Sequence, residues 1–300
     1  MSPSKGAARI PAEGGSVSHR RARLLPLRTV PQDIAQDIAL IKPLQVAIEA
    51  AHAASEPILE RFRAADLSVD NKGDGSPVSE ADKAAEKIIR HILSGAFPSI
   101  DIYGEEEGFE DTGSTYRWVV DPIDGTLSFV AGIPLFGTLI ALEERASGKS
   151  LLGVIHLPAL GETYAGGRGL GVRCNETELA IREDQTVHSD NPFTSAIISA
   201  GDPLQFQHAG CAGDHAKLSL NPLFRGYSDC FGHAMVLRGS VGAMVDPALA
   251  PWDLAATSAL IRAAGGAIFT RPSKLQGYTD AILGRPSLVR ALVADLGWAQ

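Results

Sequence analysis

Helical and strand periods alternate along this chain from residue 34 onward. Between Ile34 and Phe62, Ile38, Ile41, Val46, Ile48, Ile58 and Leu59 recur at helical spacing among alanines, which predicts an amphipathic helix. Pro43 and Pro57 interrupt that pattern and leave its continuity open. A glycine-rich loop follows at 72–77, and Ser79-Glu80-Ala81-Asp82 then opens a second helix reaching about Leu93. The runs Tyr116–Asp121, Gly137–Glu143 and Leu151–Leu157 read as strands. Gly161–Arg173 is rich in glycine and predicts short strands. Its run Gly166-Gly167-Arg168-Gly169-Leu170-Gly171 lacks the spacing of a dinucleotide loop, so these read as hairpin glycines. Thr194–Ala200 predicts a buried strand, and Asp253–Ala264 a helix stopped by Gly265-Gly266. Short strands are expected at Ala267–Thr270 and Ala281–Gly284, and a closing helix at Pro286–Gly297 with proline at its start. Helices and strands mix throughout without an internal repeat, which is an α/β (α+β) pattern.

Composition narrows the class. The chain has 300 residues, 45% hydrophobic and 21% charged, enough for one large domain or two smaller ones. No apolar run approaches the ~20 residues that span a bilayer, so no membrane is expected. The three cysteines, Cys174, Cys211 and Cys230, are far apart and form no Cys-x-x-Cys. That argues against a disulfide framework or zinc site and fits a reducing, cytoplasmic setting. Residues 1–30 carry six basic side chains against Glu13, a net of +5; the whole chain is −8, so residues 31–300 carry −13. An acidic body disfavours nucleic acid as a partner. The basic segment has no apolar core of a secretory signal. It suits a disordered tail or an over-long start best, then a transit peptide, and a nucleic-acid arm least.

Candidate chemistry centres on Trp118-Val119-Val120-Asp121-Pro122-Ile123-Asp124-Gly125-Thr126. An apolar strand runs into two carboxylates three positions apart, and a Gly-Thr step follows. Hard cations such as Mg²⁺ take carboxylate oxygens together with substrate phosphate, and Gly-Thr offers N–H groups and a hydroxyl to an anion. By itself, Asp-Pro-Ile-Asp-Gly reads equally well as a turn. Two further acidic segments shift that balance, Gly104-Glu105-Glu106 upstream and Pro251-Trp252-Asp253 downstream.

Together with Lys72 to Asp82 and the stretch from Trp252-Asp253 through Ala264-Gly265-Gly266, these segments resemble the inositol monophosphatase family of Mg²⁺-dependent phosphatases, over roughly residues 34 to 296. The resemblance implies a layered αβαβα sandwich of the sugar-phosphatase type. Residues 31–148 would form a metal-binding half, and residues 149–300 a half that supplies the substrate wall and Asp253. It implies two or three Mg²⁺ ions held by Glu105, Asp121, Asp124, the Ile123 carbonyl and Asp253. Gly125 and Thr126 would hold a phosphate oxygen, Glu105 and Thr126 would position the attacking water, and Asp82 would fix the threonine hydroxyl. The partner implied is a small-molecule phosphate ester, and a homodimer is left open.

Each residue also has a plainer reading. Ser79 and Asp82 match a helix capping box. Asp253 suits a helix N-terminus through the dipole. Glu106 and Glu107 read as a solvated acidic face, and Lys72 as a loop lysine or an anion-steering charge. Two segments point to the substrate. The run from Leu127 to Ile140 is similar to the histidinol-phosphate phosphatase branch, which typically carries lysine where Leu127 stands. That branch also has an Asp-Cys-aromatic-Gly where this chain reads Asp229-Cys230-Phe231-Gly232. A carboxylate suits the cationic histidinol group, although Asp229 also reads as an ordinary loop residue. Asp246 stands where the family often has a substrate-binding glutamate. The expected activity is hydrolysis of histidinol phosphate. An inositol monophosphatase or broad sugar phosphatase is the alternative, and a non-catalytic binding protein on this fold the more distant one.

Overall fold

The computed structural model describes residues 40–71, 77–109, 111–183 and 196–299. The basic segment 1–30, residues 34–39 of the first expected helix, Lys72 and its loop, and Thr194 lie outside these residues. Helix α1 (Ile41–Arg61) is continuous through both prolines. Pro43 falls in the first turn, where its missing N–H has no intrahelical acceptor to lose. Pro57 is carried by burial of Leu44, Ala47, Ala50, Ala51, Ala54 and Ile58 along one stripe. After β1 (Val69–Asn71) and β2 (Pro77–Ser79), α2 (Glu80–Ala96) packs its Ala81, Ala85, Ile89 and Leu93 beside α1.

The next elements are β3 (Asp101–Gly104), β4 (Gly108–Phe109), β5 (Tyr116–Asp124), α3 (Thr126–Val130), β6 (Gly137–Glu144), β7 (Lys149–Leu157), β8 (Glu162–Gly167), β9 (Gly171–Cys174) and β10 (Thr177–Leu179). Their strands make one eight-stranded sheet in the order β10-β9-β8-β7-β6-β5-β3-β4. Its central strands are apolar on both faces because both are covered. Trp118, Val120, Ile140, Leu142 and Val154 face α1 and α2, while Val119, Leu139, Ala141, Ile155 and Leu157 face the next layer. The division expected at residues 148 and 149 falls between β6 and β7, which pair antiparallel in this one sheet.

The rest of the chain adds β11 (Ile198–Ala200), α4 (Pro203–His208), α5 (Ala212–Ser219), β12 (Phe224–Arg225), α6 (Asp229–Arg238), β13 (Ala243–Leu249), α7 (Pro251–Ala263), β14 (Ala267–Pro272), β15 (Thr279–Gly284) and α8 (Pro286–Asp295). A five-stranded sheet, β12-β11-β13-β15-β14, is separated from the first by α6 and α7. Its other face is covered by α4, α5 and α8 through Phe206, Leu218, Leu288 and Leu292. The layers are therefore α, β, α, β, α, as the resemblance implied. One close approach positions the middle layer. A Cβ on Gly153 of β7 would collide with the backbone of Ala256, so this glycine lets α7 lie directly on the first sheet. Among the described residues, no helix is long and apolar enough to cross a membrane.

Candidate active site

The strand expected to end at Asp121 continues to Asp124, and the reason shapes the site. Asp121 pairs with Leu139 and Asp124 with Gly137, so β5 carries one more residue than β6 between these points. In a regular strand, residues three apart point to opposite faces. The bulge removes that opposition. Carboxylate oxygens of Asp121, Asp124 and Asp253 consequently lie within 4.8 Å of one another. The Pro122 carbonyl is anchored by the Thr138 hydroxyl at 2.8 Å. Gly125 then takes φ 81°, a left-handed conformation suited to glycine, and starts α3.

Asp253 enters at the N-terminus of α7, where it also caps the helix by accepting the Ala250 N–H at 2.7 Å. The dipole role and membership of the acidic cluster thus coexist. Glu105 follows β3 and donates its N–H to the Val120 carbonyl at 3.1 Å. The turn that presents it is pinned by buried Glu86, which accepts the N–H groups of Glu106 at 2.8 Å and Glu107 at 3.1 Å. Arg90 holds Glu86 at 2.7 Å and the Gly108 carbonyl at 2.6 Å. The sequence reading missed Glu86 and Arg90; their i, i+4 spacing on α2 was the available signal.

Thr126 donates its hydroxyl to the Ile123 carbonyl at 2.9 Å and lies 3.5 Å from Asp82 Oδ1. Asp82 is buried and closes a capping box with Ser79, whose N–H it accepts at 2.9 Å and hydroxyl at 2.5 Å. It therefore serves the helix cap and borders the threonine.

Burial first, then the charges of Glu105, Asp124 and Asp253, holds the Asp121 carboxyl well above its ordinary range. Asp253 is raised in the same way by burial, Asp124 and Glu105. Burial also raises Asp124, against the opposing bonds from Cys230. Asp121 Oδ1 is buried with no hydrogen-bond partner. Converging carboxylates with an orphaned oxygen are a donor set suited to a hard divalent cation, whose charge would reverse these shifts. Asp121, Asp124, Asp253, Glu105 and the Ile123 carbonyl are the residues that could hold it.

The segment around Asp229 is a helix rather than a loop. Asp229 is the first residue of α6, with φ 57°, and the Cys230 N–H is donated to Asp124 Oδ2. A Cβ on Gly125 would lie 3.3 Å from Asp229 Oδ2, so this carboxylate borders the Gly-Thr turn. Burial, Asp124 and Asp246 push Asp229 up to about 7. Asp246 is only 1% exposed, and it meets His233 Nε2 at 3.0 Å. It is therefore buried and bonded to a histidine, and its charge reaches Asp124 and Asp229.

The model of the inositol monophosphatase family matches residues 41–294. The chain belongs to this family. As a family member it is a phosphatase of a metal-dependent group, and Asp121, Asp124 and Asp253 lie close enough together to hold a metal ion. It is 35% identical over 257 residues to a histidinol-phosphatase from Chlorobaculum parvum, covering 85% of this chain and 96% of that protein. It is also 35% identical over 267 residues to an inositol-1-monophosphatase from Mesorhizobium japonicum, covering 83% and 94% of the two chains. Among solved structures, the extragenic suppressor protein suhB from Bartonella henselae superposes with a TM-score of 0.74 at 28% identity, covering 85% of this chain and 98% of that one.

Proposed function

We propose that this family member is a Mg²⁺-dependent phosphomonoesterase that hydrolyses L-histidinol phosphate to L-histidinol and phosphate, a step of histidine biosynthesis in the cytoplasm. The observation that carries the substrate is the position of Asp229. Its carboxylate borders the turn at Gly125, and with a phosphate held by Gly125 and Thr126 it would face the ester's alcohol half. A second carboxylate, Asp246, is near enough for its charge to help raise Asp229. Histidinol carries an ammonium and an imidazole, which such a wall favours; a neutral polyol would need hydroxyl-binding groups instead. All three cysteines are free, which suits a reducing cytoplasm.

Asp121, Asp124, Asp253, Glu105 and the Ile123 carbonyl would hold the metal. Bound Mg²⁺ supplies Lewis acidity to the phosphate and makes a nearby water more acidic. Glu105 and Thr126 would orient the water toward phosphorus, with the Thr126 hydroxyl anchored on the Ile123 carbonyl and bordered by Asp82. The water oxygen forms the new P–O bond and gives up a proton, the ester P–O bond breaks, and the departing alkoxide takes a proton from solvent water, so that the alcohol and inorganic phosphate are released with no net loss of protons. Inositol phosphate or a broader set of sugar phosphates is the second reading, favoured by the inositol-1-monophosphatase relative. The retained acid cluster weighs against a non-catalytic binding protein.

The test is kcat/KM on a panel of phosphate esters for the wild type and Asp229→Asn. Removing a charge-assisted contact of ~1.5–3 kcal/mol should lower kcat/KM for histidinol phosphate roughly ten- to hundred-fold and barely change that for inositol phosphate. Equal losses on both would make Asp229 a structural residue. A wild type that prefers inositol phosphate would promote the second reading.

A further inference from the structure

Between the two sheets, a buried hydrogen-bond chain adjoins the acid cluster without belonging to it. Thr257 Oγ1 of α7 is 3.0 Å from His233 Nδ1 of α6, and His233 Nε2 is 3.0 Å from Asp246 Oδ2 of β13. Thr257, His233 and Asp246 are 0%, 1% and 1% exposed. An ionised carboxylate only accepts, so Nε2 carries the hydrogen in that bond, and Thr257 satisfies the other ring nitrogen.

The three elements so joined are those that carry Asp253, Asp229 and Asp246. His233 stands one helical turn beyond Asp229 on the same stripe of α6. On that helix, Cys230 also gives its N–H to Asp124. The His233 ring is thereby tied to β13 and α7, and Asp229, the first residue of the same helix, borders the Gly125 turn. The ring also takes one oxygen of Asp246 and leaves the other, Oδ1, without a partner. That oxygen lies against Gly201, where a Cβ would collide with it. Asp246 is therefore held in one orientation between His233 and Gly201.

We propose that His233 is a positioning residue for the alcohol half of the substrate: through the Thr257–His233–Asp246 chain it sets how strongly a cationic leaving group is preferred over a neutral one. This rests on the histidinol phosphate reading above. A histidine that merely fills the core would leave that preference untouched when replaced by a residue of similar size.

The experiment compares the Mg²⁺-loaded full chain with His233→Phe, His233→Gln and Thr257→Val. The readout is the ratio of kcat/KM for L-histidinol phosphate to that for inositol 1-phosphate, with KM and kcat resolved. His233→Phe should lower the ratio about ten-fold, mainly through KM for histidinol phosphate. His233→Gln, which keeps an N–H donor, should restore it to within about three-fold of wild type. An unchanged ratio in His233→Phe, or equal losses on both substrates, overturns the inference. If His233→Phe does not fold, Thr257→Val, which keeps the shape and removes the hydroxyl, should still lower the ratio about three-fold, and an unchanged ratio there overturns it. A wild type with no preference for histidinol phosphate defeats the substrate reading and this inference with it. A wild-type preference that survives the variants defeats this inference alone.

Discussion

Asp121→Asn should make the metal-free protein more stable and abolish its response to Mg²⁺. Asp121 is the cleanest of the acids to change. One of its oxygens has no partner, whereas Asp124 accepts the Cys230 N–H and Asp253 caps α7. The carboxylate oxygens of the three aspartates lie within 4.8 Å. Two unit charges that close repel by roughly 3–4 kcal/mol at an effective dielectric of about 20. The raised carboxyls escape most of this by holding protons, so the net gain expected from the substitution is about 1–2 kcal/mol. At roughly 2–4 °C per kcal/mol for a folded unit of this size, the metal-free variant should melt about 2–8 °C above wild type. Mg²⁺ at a hundred times its Kd should stabilise the wild type by about 2.7 kcal/mol, roughly 5–11 °C, and leave the variant nearly unmoved. Thermal melts of chelator-treated protein, with and without Mg²⁺, measure both effects. A variant that melts lower without metal, or that keeps the wild-type Mg²⁺ shift, would refute the picture of a repulsive cluster awaiting a cation.

The same raised carboxyls set the pH dependence of the metal-free protein. The folded chain holds protons on Asp121, Asp124, Asp229 and Asp253 that the unfolded chain releases, Asp229 up to about 7 against an ordinary 3.8. Stability should therefore rise as pH falls from about 7 toward 4 and be lost as pH rises through that window. Saturating Mg²⁺ should flatten or invert the slope, and a pH-independent Tm without metal would contradict the assignment. Glu86→Gln should loosen the turn that presents Glu105, because an amide replaces the carboxylate that accepts two backbone N–H groups and pairs with Arg90. The Mg²⁺ concentration for half-maximal activity should rise about ten-fold, and an unchanged Mg²⁺ titration would show that the turn holds itself.

Features built from neighbouring residues were legible in the chain. The Ser79–Asp82 box closes within one helical turn, so its four residues suffice to specify it. The β-rich runs of β5, β6 and β7 and the proline-started α8 were equally local. The acidic segments were visible as candidates because carboxylates beside Pro, Gly and Thr are uncommon company for an apolar strand. What they do together was not visible in the same way. Asp121 and Asp124 reach one face only because β6 meets β5 with one residue fewer, and a pairing register is a property of two strands. Asp253 joins them because Gly153 lets α7 lie against the first sheet at Ala256. Helix α6 escaped detection because it is buried almost all round, from Cys230 to Leu237, and a helix without a polar face shows no period. His233 and Asp246 likewise became partners only when α6 and β13 packed together. Local hydrogen bonds and periodicity are written in sequence order. Register, close approach and buried pairing arise from contacts between distant segments, and only the folded chain decides them.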